Sequence, residues 1–211
     1  MKICLFDPGF ADNEGLPSLN LGDVFIQDAV NREIKDLFDK IELTSISTHT
    51  FPPDKILKKL NNNSFIFLGG TNILSSNLNR YRQWRISVSQ MLMLPRVILF
   101  GVGWHSYQGK INTFSRLFLN FLLSKNSIHS VRDSYTQKKL KSIGFKNVCN
   151  TGCPTMWPLQ NYTSDSYPVK KAKHALVMLT DYAKDRYLDY RLLNIVKDQY
   201  EKIFFWPQGS G

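Results

Sequence analysis

Residues 97–103, Val97-Ile98-Leu99-Phe100-Gly101-Val102-Gly103, read as a short buried β-strand that breaks at a Gly-x-Gly turn. Four apolar residues are too few for a helix, and an unbroken rather than alternating run marks a strand covered on both faces. The same grammar stands upstream at Phe65-Ile66-Phe67-Leu68, closed by Gly69-Gly70, and at Ile3-Cys4-Leu5-Phe6, closed by Asp7-Pro8-Gly9. Helical periodicity fills the gaps. In 24–38, Ile26, Val30, Ile34, Leu37 and Phe38 fall on one helical face, with Asp23 at the N-cap position. Further strands are expected at 41–46, 128–131 and 148–150, and helices at 55–60, 81–94 (closed by Pro95), 111–123 and 134–143. Phe114, Leu117, Phe118, Phe121 and Leu122 are expected to share the sheet-facing side of 111–123. The helix at 134–143 shows a capping box, Ser134 with Gln137, and Gly144 at its end. Alternation of this kind predicts an α/β fold with a doubly wound, Rossmann-like parallel sheet over residues 1–153.

Residues 154–173 change character, with Pro154, Pro158, Pro168 and a lysine cluster, and read as a linker. The pattern restarts over 174–211 with strands at 175–179 and 203–205 around a helix at 187–200. Three elements hold too little core to stand alone. They are therefore expected to be the start of a second Rossmann-like domain, truncated at Gly211.

The chain has 211 residues, 43% hydrophobic and 13% aromatic, and no low-complexity tract, which excludes a disordered chain. Its net charge of +10 is unevenly placed: residues 110–173 hold 11 Lys and Arg against 2 Asp and Glu. The N-terminus has no room for a signal-peptide core between Lys2 and Asp7, and no stretch is apolar enough to span a membrane, so a cytoplasmic protein is expected. Cys4, Cys149 and Cys153 are odd in number and lack neighbouring histidines, which points to reduced thiols and no metal site.

Two familiar phosphate motifs fail. Gly101-Val102-Gly103 lacks the third glycine of a dinucleotide fingerprint, the position being Ser106, and no acidic residue follows near 125. Gly109-Lys110 lacks the first glycine of a Walker loop, where Trp104 stands, and Ile111 replaces the metal-binding hydroxyl. What remains is a series of turns at the C-terminal ends of strands, where open α/β sheets bind ligands. They are Asn20-Leu21-Gly22-Asp23 before the first helix, Gly69-Gly70-Thr71-Asn72, Gly101-Val102-Gly103, Arg132-Asp133, and Asn150-Thr151-Gly152-Cys153-Pro154. Glycines there let backbone N–H groups approach an anion.

In these residues the chain resembles the polysaccharide pyruvyl transferase family. The family's Asn-x-Gly-Asp turn is matched by Asn20, Gly22 and Asp23, its Gly-Gly strand end by Gly69 and Gly70, and its Gly-x-Gly by Gly101 and Gly103. Its Arg-Asp before a helix is matched by Arg132, Asp133 and Thr136; where it commonly has Asp-Pro, this chain has Cys153-Pro154. The resemblance implies two Rossmann-like domains facing across a cleft, the GT-B arrangement, with phosphoenolpyruvate as donor and no cofactor. The acceptor would be a sugar of a cell-surface polysaccharide or exopolysaccharide, or a lipid-linked oligosaccharide, which is compatible with contact at an anionic membrane.

That chemistry needs cations for carboxylate and phosphate and a proton donor for the methylene carbon. Arg132 is the candidate cation and His105, just past Gly103, the candidate titratable group; His49, His129 and His174 have no motif around them. Asn20, Gly22, Asp23, Gly69, Gly70, Thr71, Asn72, Gly101, Gly103 and Asp133 are the candidate substrate-binding residues. The resemblance also implies that much of the donor site lies in the C-terminal domain beyond Gly211, so the chain alone is expected to lack a complete active site. The alternatives are a GT-B nucleotide-sugar glycosyltransferase and a non-catalytic binding module. Nucleic-acid binding is not expected, because the phenylalanines of the basic segment line one helix face.

Overall fold

The sheet is built around β1 (Lys2–Asp7), whose residues from Ile3 to Asp7 are all buried. In the computed structural model, which describes residues 1–10, 20–166, 170–180 and 184–208, the chain divides into two units, Met1–Gln160 and Asn161–Gly211. The division falls inside the stretch read as a linker; Pro168 and residues 209–211 lie outside the described residues.

In the first unit β1 pairs in parallel with β2 (Glu42–Ser47) and with β3 (Phe65–Gly69), and β3 pairs with β4 (Ile98–Phe100). A second parallel pair, β5 (His129–Val131) and β6 (Val148–Asn150), extends the sheet beyond β4. Val102 bridges Val131, Gly101 N donates to Ser130 O at 3.0 Å, and Arg132 N donates to Val102 O at 3.0 Å. The strand order is therefore β2-β1-β3-β4-β5-β6, with the reversal of direction between β1 and β3. At that reversal the connections change face, because each parallel crossover is right-handed. Accordingly α1 (Leu21–Leu37) packs Ile26, Val30 and Ile34 against Ile3, Leu5 and Phe67 on one face. On the other face Cys4, Phe6, Leu68 and Leu99 meet Leu57 of α2 (Asp54–Lys59), Phe118, Leu119 and Leu122 of α4 (Thr113–Leu122) and Leu140 of α5 (Ser134–Ser142).

His129 repairs the seam between β4 and β5. Its Nδ1 accepts from Leu99 N at 3.1 Å, where a strand carbonyl would otherwise be needed, and Nε2 lies 2.6 Å from Ser124 O. A lone pair at Nδ1 puts the proton on Nε2, which donates to that carbonyl. The ring is buried, with Phe145 edge-on at 5.5 Å, and burial pushes its pKa down.

Three sequence expectations are corrected. The predicted helix at 81–94 is a four-residue helix, α3 (Val88–Met91), capped by Ser87 and Gln90. Arg85 N donates to Thr48 O at 2.8 Å, and Trp84 and Ile86 are buried, so tertiary contacts replace the helical ladder before Ser87. The caps move: Asn20, not Asp23, caps α1 through Oδ1 on Gly22 N, and Asp133, not Ser134, caps α5 through Oδ1 on Thr136 N. Along α4 the sheet-facing stripe is Ser115, Phe118, Leu119 and Leu122, while Leu117 and Phe121 are exposed. The sequence carries two apolar stripes there, and the sheet takes only one.

The second unit holds β7 (His174–Thr180) and β8 (Lys202–Gln208), paired in parallel and joined by α6 (Arg186–Gln199). Asp185 caps α6 by accepting from Leu188 N at 3.0 Å. Of the β7 side chains only Val177 is buried. The βαβ unit matches the sequence expectation, apart from ends shifted by one to three residues.

Candidate functional site

The C-terminal ends of β1 to β6 form a rim with two clusters. The first gathers Asp7, Asp23 and His49. Asp7 ends β1 fully buried: Oδ1 accepts from Gly9 N at 2.9 Å and Oδ2 from Gln27 Nε2 at 2.8 Å. Burial raises its pKa, the bonds from Gln27, Gly9 and Phe10 oppose that rise, and the charge of Asp23 adds to it. Asp23, in the first turn of α1, accepts from Asn20 Nδ2 at 3.1 Å and stands 4.0 Å from His49 Nε2. Asn20 and Gly22 thus hold the helix N-terminus, and Asp23 faces the acidic end of β1.

The second cluster lies over Gly103. Asn72 Oδ1 and the Arg132 stem both close on this glycine: a Cβ here would come within 2.6 Å of Arg132 Cδ and overlap Asn72 Oδ1. Gly103 N donates to Thr71 O at 2.9 Å, and Leu74 N donates to Gly103 O at 3.1 Å, so the turns after β3 and β4 are laced together. Arg132 is half-buried, and among the described residues its guanidinium makes no ion pair or hydrogen bond. His105 stacks on Tyr81 with ring centroids 3.9 Å apart, and its backbone N donates to Leu74 O at 2.7 Å.

Backbone conformation explains the glycines between the clusters. Gly70 has φ +32° and Gly101 φ +71°, and side chains there would overlap Ile26 and Pro154 respectively. Gly69 leaves room for Leu5. Thr71, a β-branched residue, is held at φ +60°, which stores roughly 1–3 kcal/mol of backbone strain. Asp133 is occupied by structure: Oδ1 takes Thr136 N at 2.6 Å and Oδ2 takes Thr136 Oγ1 at 2.9 Å, while that hydroxyl accepts from Trp104 N at 2.8 Å. Its carboxylate fixes the loop that carries Gly103 and His105.

The rim brings Asn72, Gly103 and Arg132 together, and Asn20 and Asp23 together. Asp7 and His49 were not singled out from the sequence. Asp7 had a signal, a carboxylate ending a wholly apolar strand, whereas His49 gains its neighbours only when β2 pairs beside β1. Among the described residues no group of three or more His, Cys, Asp or Glu is placed to hold a metal ion, and no helix is long and apolar enough to cross a membrane. Burial pushes the Cys4 thiol up to about 12, so it does not ionise near neutrality.

The fold defines an α/β protein with parallel sheets and glycine-bearing turns at the strand ends. The family model for polysaccharide pyruvyl transferases matches residues 20–210, and the chain belongs to that family. No curated protein and no solved structure matches it.

Proposed function

We propose that the protein transfers the pyruvyl unit of phosphoenolpyruvate to a saccharide of a cell-surface polysaccharide, forming a ketal across two hydroxyls. The observation that carries this reading is the Arg132 guanidinium, which lacks an acidic partner among the described residues and stands at a strand-end rim of a chain in this family. A guanidinium there can grip a carboxylate or phosphate through two parallel hydrogen bonds.

The chemistry assigns the remaining parts. Protonation of the donor's methylene carbon makes its C2 electrophilic, one acceptor hydroxyl adds there, and the second closes the ketal as inorganic phosphate leaves. One hydroxyl proton is needed for the new methyl group and the other leaves with phosphate, so a proton donor and a base are both required. His105 is the proposed proton donor. Asn72 and the amides around Gly70, Gly101 and Gly103 are proposed to surround the anion. Asn20, Gly22 and Asp23 are proposed to border the acceptor, with Asp7 and His49 behind them. A second Rossmann-like domain closing a GT-B cleft is part of this reading, as is the absence of a cofactor.

Calorimetric titration separates this from the glycosyltransferase alternative. Phosphoenolpyruvate should bind the chain through the rim's share of the donor site, and a panel of nucleotide sugars should not. Arg132→Lys should weaken donor binding by about tenfold or more, because the ammonium keeps the charge and loses the fork. Equal binding of nucleotide sugars, or an indifferent R132K variant, would overturn the assignment.

A further inference from the structure

Outside the two rim clusters, the surface of the first unit carries a second feature, a groove of about 640 Å³ between α4 and α5. It is lined by Lys110, Arg116, Tyr135, Lys138, Lys139 and Ser142 among others, and no acidic residue lines it. Lys139 is committed to structure, since its Nζ donates to Gln108 O at 2.8 Å and to Gly109 O, bracing the loop before α4. Lys110, Arg116 and Lys138 are exposed and have no ion pair among the described residues. The dipole of α5 accounts for cations at its C-terminal end. It does not account for Arg116 within α4 or for Lys110 in the loop.

The neighbouring side chains are apolar. Leu117, one position past Arg116 and about 100° round the helix, is 65% exposed on the crest of α4. Tyr107, 91% exposed, stands edge-on to Tyr135 of the groove with ring centroids 4.9 Å apart. Further along α4, Phe121 is exposed beneath the guanidinium of Arg96, 5.0 Å from the ring centroid. Long cationic stems beside protruding aliphatic and aromatic groups suit a surface whose outer layer is anionic and whose inner layer is hydrocarbon. A site for a soluble phosphate would enclose its ligand with backbone amides, and this groove is open.

We propose that the α4–α5 groove is a docking site for an anionic lipid leaflet, with Lys110, Arg116 and Lys138 taking lipid phosphates and Leu117 and Tyr107 entering the headgroup boundary. The loop that closes the groove at Gln108 and Gly109 continues from Trp104 and His105, so docking holds the strand-end rim near the membrane surface. Trp104 Nε1 donates to Gln108 Oε1 at 3.1 Å, which ties the two ends of that loop.

Vesicle co-sedimentation of the full chain tests the proposal without donor or acceptor, so its outcome is independent of the pyruvyl-transfer reading. Vesicles of phosphatidylcholine with phosphatidylglycerol should retain the protein at low salt and release most of it at about 0.5 M salt, and pure phosphatidylcholine should not retain it. The double variant Arg116→Gln with Lys138→Gln should lower partitioning by roughly 25-fold, at about fivefold per cation. Leu117→Ser should weaken the binding that persists in salt. Lys58→Gln with Lys59→Gln removes the same charge from exposed positions on another helix and should leave partitioning unchanged. All are surface positions, so thermal unfolding should be unaltered. An equal loss in the Lys58/Lys59 variant would reduce the effect to net charge and overturn the proposal. So would groove-dependent binding of inorganic pyrophosphate or an oligonucleotide in the absence of vesicle binding.

Discussion

The strands Ile3-Cys4-Leu5-Phe6 and Ala175-Leu176-Val177-Met178-Leu179 are close in composition and have opposite fates. In β1 every one of those side chains is fully buried, between α1 on one face and the α4–α5 layer on the other. In β7 Val177 is buried while Leu176 and Met178 stand more than half exposed, opposite the exposed Phe204 and Trp206 of β8. An apolar run states that a strand can be covered on both faces; it does not state what covers it. Burial comes from layers, and in the second unit α6 is the only α-helix among the described residues.

The largest expected effect tests the covered sheet. Phe118 packs edge-on to Trp84, which packs edge-on to Phe6, so Phe118→Ala opens a cavity in the middle of the layer. It should cost about 3–5 kcal/mol in denaturant unfolding of the full chain. Trp84, Trp104 and Trp157 lie in the first unit and Trp206 in the second. The fluorescence transition of the first three should therefore shift. An unchanged transition would mean that this layer is not the core that holds the first unit.

The rim should respond less in stability and more in ligand binding. Gly103→Ala forces Asn72 and the Arg132 stem apart, an overpacking that should cost about 1–3 kcal/mol. Because those two side chains are the proposed donor contacts, phosphoenolpyruvate binding should fall further than stability does. Calorimetry beside thermal unfolding distinguishes the two, and a variant with full donor affinity would remove Gly103 from the site.

The seam at His129 carries a pH signature. Burial holds its folded pKa below the unfolded value of about 6.5, so the unfolded chain takes up the proton first as pH falls. Stability from this residue is therefore complete above pH 6.5 and is lost below it, at up to about 1.4 kcal/mol per pH unit until the folded ring also protonates. Protonated Nδ1 can no longer accept from Leu99 N, so amide exchange at Leu99 should accelerate in the same window. In His129→Gln, unfolding free energy should lose this part of its pH dependence.

These effects also show how much could be read in advance. All eight strands of the described residues follow from apolar runs separated by amphipathic stretches, because parallel strands suited to burial on both faces leave that trace locally. The rim's glycines were legible for the same reason, since Gly70 and Gly101 answer to their own φ angles. Helix limits were not, because Asn20 and Asp133 compete with Asp23 and Ser134 as caps and only geometry chooses. The non-helical path through Trp84 depends on Thr48, and the carboxylate–histidine cluster depends on Asp7 ending β1 beside the end of β2, just before His49. No local pattern encodes either pairing.

The smallest expected effect bears on the uncovered face. Phe204 is 48% exposed, with the His174 ring edge-on at 6.2 Å and Lys202 Nζ 4.9 Å from its centroid. Cross-strand and cation–π contacts of this kind are worth less than about 1 kcal/mol at an exposed site. Phe204→Ser should therefore leave the Trp206 transition within about 1 kcal/mol while lowering self-association, since it removes the centre of an apolar patch formed with Leu176, Met178 and Trp206. Light scattering against protein concentration reads the second effect. A loss above about 2 kcal/mol would mean that this face is packed in solution as tightly as β1, and the contrast between the two strands would then be one of sequence position and not of burial.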